Sequence, residues 1–128
     1  MLVRYLQAGL PSLLAVYAFG SRTQGTAGPE SDLDLAVLTD TPADPVQLWK
    51  MAAELAETEN TDVDLVDLRS ATTVFQHQVL TTGQRLWCRT DLPVNLWELF
   101  VLGEKMRLDE ARGPLLTDIR KTGVIHAR

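Results

Sequence analysis

The sequence predicts an α/β (α+β) chain, and three observations carry that prediction. Short apolar runs at 13–19, 32–38, 63–68 and 85–88 have the length and residue types of strands. Segments of helical period, 45–58 and 70–82, separate the later runs. Between the first two runs lies a loop with glycines at 20, 25 and 28, which leads into two closely spaced aspartates.

Residues 2–9 are expected to form a short helix that covers one face of the sheet, ending at Gly9 with Pro11 beyond it. The run Leu13–Phe19 does not alternate, which predicts a strand buried on both faces. A helical turn over 22–26 fits the loop that follows, with its N-terminal dipole favouring phosphate. The second strand stops before Thr39-Asp40-Thr41-Pro42. Asp44 then supplies a cap acceptor, Pro45 sits in the first turn, and Gln47 follows three residues on. Over 45–58, Leu48, Met51, Ala52, Leu55 and Ala56 share one face and Gln47, Lys50, Glu54 and Glu57 the other, so this helix packs on the sheet. Asn60-Thr61 breaks to a third strand, Val63–Leu68. Ser70 is the expected cap of a helix reaching 82, with Ala71, Val74, Phe75 and Val79 on its apolar side and Gly83 as its stop. His77 falls on the polar side without neighbouring ligands and receives no role. Arg85–Cys88 forms a short fourth strand.

The last quarter reads as helical, starting at Pro93 or at Asn95, which is spaced with Glu98 as a capping box. Its Leu96, Trp97, Leu99, Phe100, Val101, Leu102, Met106 and Leu108 wrap nearly the whole circumference. A helix apolar all round must be buried on more than one side. Either a partner meets it or residues 114–122 cover it.

At 128 residues the chain is expected to be one domain, 1–128, with a core over 1–90 and a C-terminal helical segment over 91–128 that could meet a partner. The 45% hydrophobic and 23% charged content is that of an ordinary globular protein. No uncharged apolar run reaches about 18 residues and no signal layout opens the chain, so a cytoplasmic protein with no membrane span is expected. The lone Cys88 reads as a buried strand residue. A net charge of −5 argues against a broad nucleic-acid surface. Between 30 and 67 eleven acids stand against the single base Lys50, while from 112 onward four bases stand against Asp118 alone. The acidic middle suits a metal site; the basic tail is either a solvated end or a contact for an acidic partner.

Asp32 and Asp34 are two residues apart, so on a strand both side chains leave the same face. Two carboxylates placed so are costly unless they bind something positive. Such hard oxygen ligands suit Mg²⁺, which takes one or two protein carboxylates together with phosphate oxygens. The glycine loop is the other half of such a site, because glycine lets backbone N–H groups approach a phosphate closely. Asp64 lies in an apolar context that makes a carboxylate expensive without a counter-charge. Asp62 precedes the strand, and Asp67 points to the opposite face from Asp64.

Gly20-Ser21 followed by Asp32-x-Asp34 resembles the signature of the DNA polymerase β-type nucleotidyltransferases, over roughly residues 10–90. The short chain and the form Ser31-Asp32-Leu33-Asp34-Leu35 look most like the minimal nucleotidyltransferase (MNT) antitoxins, which are encoded beside HEPN-domain ribonuclease toxins. The resemblance implies a small mixed sheet with helices on one side, followed by C-terminal helices. It implies Asp32, Asp34 and Asp64 as catalytic metal ligands for two Mg²⁺ ions, and Gly20, Ser21, Arg22 and Ser31 as nucleotide-binding residues, with ATP as substrate. Where many relatives carry Ala-Arg-Gly this chain has Thr23-Gln24-Gly25, so that position offers hydrogen bonds but no charge.

The implied reaction is transfer of AMP from ATP to a hydroxyl, a tyrosine of a HEPN toxin, which silences the ribonuclease. Two other readings stay open on sequence grounds. One is an antitoxin that neutralises its toxin by binding alone. The other is AMP transfer to an aminoglycoside or another small molecule, for which 128 residues leave little room to build an acceptor pocket. An RNA-extending polymerase fits least, given the acidic balance.

Overall fold

The computed structural model describes residues 2–20 and 32–122, with side chains through Ala111. The order of elements is α1 (Leu2–Gly9), β1 (Leu13–Phe19), β2 (Leu33–Thr39), α2 (Pro45–Glu59), β3 (Val63–Asp67), α3 (Thr73–Thr82), β4 (Gln84–Cys88) and α4 (Asp91–Thr122). The strands pair in the order β3-β2-β1-β4. β1 runs antiparallel to both β2 and β4, and β2 runs parallel to β3. That parallel pair needs a crossover, which α2 provides. The mixed sheet and α+β class are those expected, and the turn over 22–26 lies outside the described residues.

The expectation of helices on one side is corrected: they cover both faces. On one face Leu13, Val16, Ala18, Leu35 and Val37 pack with Leu6 of α1 and with Leu48, Met51 and Leu55 of α2. On the other, Ala15, Tyr17, Ala36 and Leu38 pack with Val79 of α3 and Val94 of α4. The cause is in β1 and β2 themselves, whose unbroken apolar runs have no polar face to leave in water. A register shift between Leu13 and Ala15 marks a bulge, and Leu14 and Ala15 consequently serve the same core.

Local signals explain most element ends. Asp44 caps α2 by accepting from Val46 N–H at 3.1 Å, and Asn60 ends it in the left-handed region at φ 56°. Gln47 does not close a capping box; its Nε2 donates to the Gly9 carbonyl at 2.6 Å and ties α2 to the end of α1. The Tyr5 hydroxyl of α1 likewise donates to Glu54 of α2. The cap of α3 is Thr72, which accepts from Phe75 N–H, and not Ser70. Ser70 closes a 3₁₀ turn, Leu68–Ser70, and donates to Asp67 at 2.9 Å. Gly83 stops α3 for reasons of space, since a Cβ there would stand 2.6 Å from the carbonyl oxygens of Ala18 and Val79.

α4 departs furthest from expectation. It begins at Asp91 and continues as one helix to Thr122, so residues 114–122 extend it and do not fold back over it. Val94 and Val101 are buried and Trp97 packs into the core under α3, whereas Leu92, Leu96, Leu99, Phe100 and Met106 are exposed. Cys88 is half-exposed and its thiol donates to the Asp91 carboxylate at 3.1 Å; that bond, ahead of burial, pushes the thiol pKa up. Among the described residues no helix is long and apolar enough to cross a membrane.

A part-buried polar contact ties α4 to the middle of the sheet. Tyr17 of β1 donates to Glu98 at 2.6 Å, and Arg85 of β4 bonds both Glu98 (3.3 Å) and Asn95 (3.0 Å). Burial first, then the bond to Glu98, holds the Tyr17 phenol far above its ordinary pKa of 10.0. Tyr17→Phe should destabilise the fold by about 1.5–3 kcal/mol in urea titrations, the range for a hydrogen bond to a charged group. The unfolded chain releases this proton near pH 10 while the folded chain keeps it. Stability is therefore complete below that pH and falls as pH rises above it. Urea midpoints from about pH 8 to about pH 11 should fall less steeply in the variant than in the wild type.

Candidate active site

The end of the sheet where β1 finishes and β2 and β3 begin gathers the acidic residues. Asp34 lies opposite Phe19 on β1 and opposite Asp64 on β3. Side chains directly paired across a sheet leave the same face. Asp34 and Asp64 therefore share the α3–α4 face with Phe19, which stacks edge-on to Phe75 of α3 at 5.4 Å. Asp32 stands just before β2, near enough to Asp34 for its charge to act on that carboxyl. Of the three carboxylates singled out in the sequence, Asp34 and Asp64 are thus paired in register, and the charges of Asp64 and Asp32 both act on Asp34.

The electrostatics follow from that placement. Burial, then the charges of Asp64 and Asp32, push the Asp34 pKa above its ordinary 3.8. A carboxyl destabilised by its neighbours in this way is relieved by a cation. Among the described residues, however, no three His, Cys, Asp or Glu side chains stand close enough to enclose an ion by themselves. A hard divalent ion fits nonetheless, because Mg²⁺ needs only one or two carboxylates and fills its octahedron with water and phosphate oxygens. The all-oxygen donors Asp34 and Asp64, in register on adjacent strands, are of that kind.

Gly20 ends β1 at φ +86°, in the left-handed region that side chains disfavour. A Cβ at this position would overlap the Asp34 carboxylate. Glycine is required here twice, for the turn and for room above Asp34. Ser21, Arg22 and Ser31 lie outside the described residues. Asp62, like Asp64, is exposed, and its carbonyl accepts from Leu33 N–H at 2.9 Å where β3 meets β2.

Two features of β3 and α2 were missed by sequence reasoning. Asp67 is a structural hub: its carboxylate accepts from Ala43 N–H, Arg69 N–H and Ser70 Oγ, tying the end of β3 to the loop before α2. An aspartate followed by a short turn and a serine was the available signal. The second is Trp49, which is 73% exposed and lines a groove of about 490 Å³ between α2 and β3 that also includes Asp64. Its place at the margin of the apolar stripe of α2, beside Ala52, was the only hint.

Comparison with known proteins identifies the family and the fold. Residues 2–92 match the family model described as Polymerase beta, Nucleotidyltransferase. The protein adenylyltransferase MntA of Shewanella oneidensis is 37% identical over 118 residues, 92% of this chain and 84% of that protein. A crystal structure of a toxin–antitoxin with AMP-PNP superposes with a TM-score of 0.82 at 37% identity, covering 93% of this chain and 95% of that one. Another similar structure is the tri-AMPylated Shewanella oneidensis HEPN toxin in complex with MNT antitoxin, with a TM-score of 0.76 and 34% identity, covering 93% of this chain and 92% of that one. Matched over most of its length in sequence and fold, this chain belongs to the polymerase beta nucleotidyltransferase family, and within it to the group of MntA.

Proposed function

We propose that this chain is an antitoxin that transfers AMP from ATP to a hydroxyl, a tyrosine, of its HEPN toxin and silences it. The observation that carries the proposal is the register of Asp34 with Asp64, with Asp32 beside them and Gly20 leaving room above. The likeness to MntA and to a complex with an AMP-modified HEPN toxin supports the choice of nucleotide and partner.

In the reaction the acceptor oxygen bonds to the α-phosphorus, the bond from that phosphorus to the bridging oxygen breaks, and pyrophosphate leaves. Asp32 and Asp34 would hold both of two Mg²⁺ ions, and Asp64 the one nearer the acceptor. When bound, the ions offset the triphosphate charge and stabilise the attacking and leaving oxygens. Asp64 is exposed and lies farther from β1 than Asp34, so an incoming hydroxyl can reach it and pass it a proton. Asp34, half-buried, is held by the strand pairing on either side and fixes the position of the charge. Ser21, Arg22 and Ser31 complete the proposal as phosphate-side residues.

Toxin binding is assigned to α4. Leu92, Leu96, Leu99 and Met106, with Phe100 beside them, recur every three, four or seven residues on the side turned away from the sheet. That is the seam another helix packs against. Trp97, by contrast, belongs to the core.

Three measurements test this reading. Asp32→Asn with Asp34→Asn should reduce transfer by at least about 10³-fold, since charged ligands for the displaced oxygens are lost. The same pair should leave the apo fold as stable or more stable, because repulsion at Asp34 is relieved. If the double variant protects against the toxin as fully as the wild type, and no AMP mass appears on the toxin with either, neutralisation is by binding alone. Mg·ATP at 100-fold over its Kd should stabilise the protein by about 2.7 kcal/mol; an unchanged melting temperature would count against a nucleotide site. Leu96→Glu with Phe100→Glu should weaken the toxin complex by at least about tenfold while Mg·ATP binding is retained, as read by calorimetry of both.

A further inference from the structure

Building on the proposed transfer reaction, we propose that the toxin presents its acceptor hydroxyl on an extended, basic segment laid along the open edge of β3. β3 is the outermost strand on its side of the sheet. Its backbone phase is fixed by two facts: Leu33 N–H donates to the Asp62 carbonyl at 2.9 Å, and Leu33 lies opposite Val63. In a parallel ladder of that phase the backbone groups of Asp62, Asp64 and Val66 face β2, and those of Val63, Leu65 and Asp67 face outward. Among the described residues no strand pairs with that outer side. Such an edge is a template for one more strand.

The groove beside this edge has the shape an added strand needs. Its lining includes five consecutive residues, Val63 to Asp67. Successive side chains of a strand leave opposite faces, so a cavity that touches all five lies beside the strand and not over one face. The facing wall is α2, through Pro45, Trp49 and Ala52. Trp49, exposed and set among apolar neighbours, is the type of residue that anchors a partner chain.

Charge and position select the occupant. The lining contains the carboxylates of Asp64 and Asp67 and no lysine or arginine. Asp64 is given to the proposed metal and proton transfer, whereas Asp67 accepts only from two N–H groups and a hydroxyl and has no ion pair among the described residues. A segment with Lys or Arg near its hydroxyl residue is the complementary chain. Because Asp64 belongs both to this groove and to the carboxylate set, a side chain on the added strand arrives at the reacting centre directly.

The test measures AMP transfer to the intact toxin as its concentration is varied, with Trp49→Ala, Trp49→Glu and Trp49→Lys. Position 49 is exposed, so melting temperatures should not change. Trp49→Ala should raise the KM for toxin by about tenfold or more, with kcat and the Kd for Mg·ATP unchanged, as for loss of uniform binding. The KM should be highest for Lys and lowest for Glu among the three variants, with the spread shrinking in high salt. Unchanged KM values overturn the groove assignment, and a reversed charge order overturns the basic segment. Weaker Mg·ATP binding would give the groove to the nucleotide and also overturn it. A photo-crosslinker, Trp49→p-benzoylphenylalanine, reports independently and should capture the toxin segment that carries the modified hydroxyl; capture of a remote segment overturns the proposal. Should the wild type transfer no AMP at all, the transfer reading fails by itself. The crosslink then decides the groove alone: capture of an extended basic segment upholds it, and no capture overturns it.

Discussion

The parallel pairing of β2 with β3 is the constraint on which the rest depends. Among the described residues it is the only parallel step in the sheet, and it sets Asp34 against Asp64. A slip of one residue would turn every side chain of β3 to the other face and part the two carboxylates. What prevents a slip is burial on both sides. Leu33, Leu35, Val63 and Leu65 pack toward α1 and α2, while Ala36 and Leu38 pack toward α3 and α4. Asp67 then fastens the far end of β3 to the loop before α2. The like charges gathered at the other end are thus held in place by hydrophobic packing and by hydrogen bonds remote from them.

Helices on both faces give the small sheet two cores. α1 and α2 close one core and are joined by Tyr5–Glu54 and Gln47–Gly9. α3 and α4 close the other, with Tyr17, Glu98 and Arg85 as its polar link. The link lies partly sheltered from water, where charge-assisted bonds are stronger than at a surface. It fixes the rotation of α4 about its axis. That rotation decides which residues of a largely apolar helix are spent on the core and which are left outside.

Much of this was legible in the sequence because several signals coincided. The runs at 13–19 and 32–38 reappear as β1 and β2 within a residue, and Asp44-Pro45 and Asn60 bound α2 through their capping chemistry. The spacing of Asp32 and Asp34 was enough to set their charges near each other, and the register of β3 added Asp64. Tertiary facts were not legible. An unbroken apolar run announces burial on two faces, yet the one-sided arrangement was expected from family resemblance. Ser70 and Thr72 are both good caps, and only the demand of Asp67 for the Ser70 hydroxyl separates them. Nothing in the residues of α4 distinguishes Trp97, partly buried against the core, from Phe100, exposed, because the distinction comes from how Glu98 is held.

The two tyrosines of the chain, Tyr5 and Tyr17, have a bearing on self-modification. An enzyme proposed to transfer AMP to a tyrosine hydroxyl carries potential acceptors of its own. Here each phenol donates to a glutamate, Glu54 or Glu98; Tyr5 lies on the α1–α2 side, and Tyr17 shares the α3–α4 face with Asp64 but is buried within its core. Burial comes first among the causes that raise both phenols, Tyr5 to about 12, so neither forms the phenolate that attacks most readily. Packing that serves the fold thereby also keeps the chain chemically inert toward itself, and leaves the reactive hydroxyl to be supplied from outside.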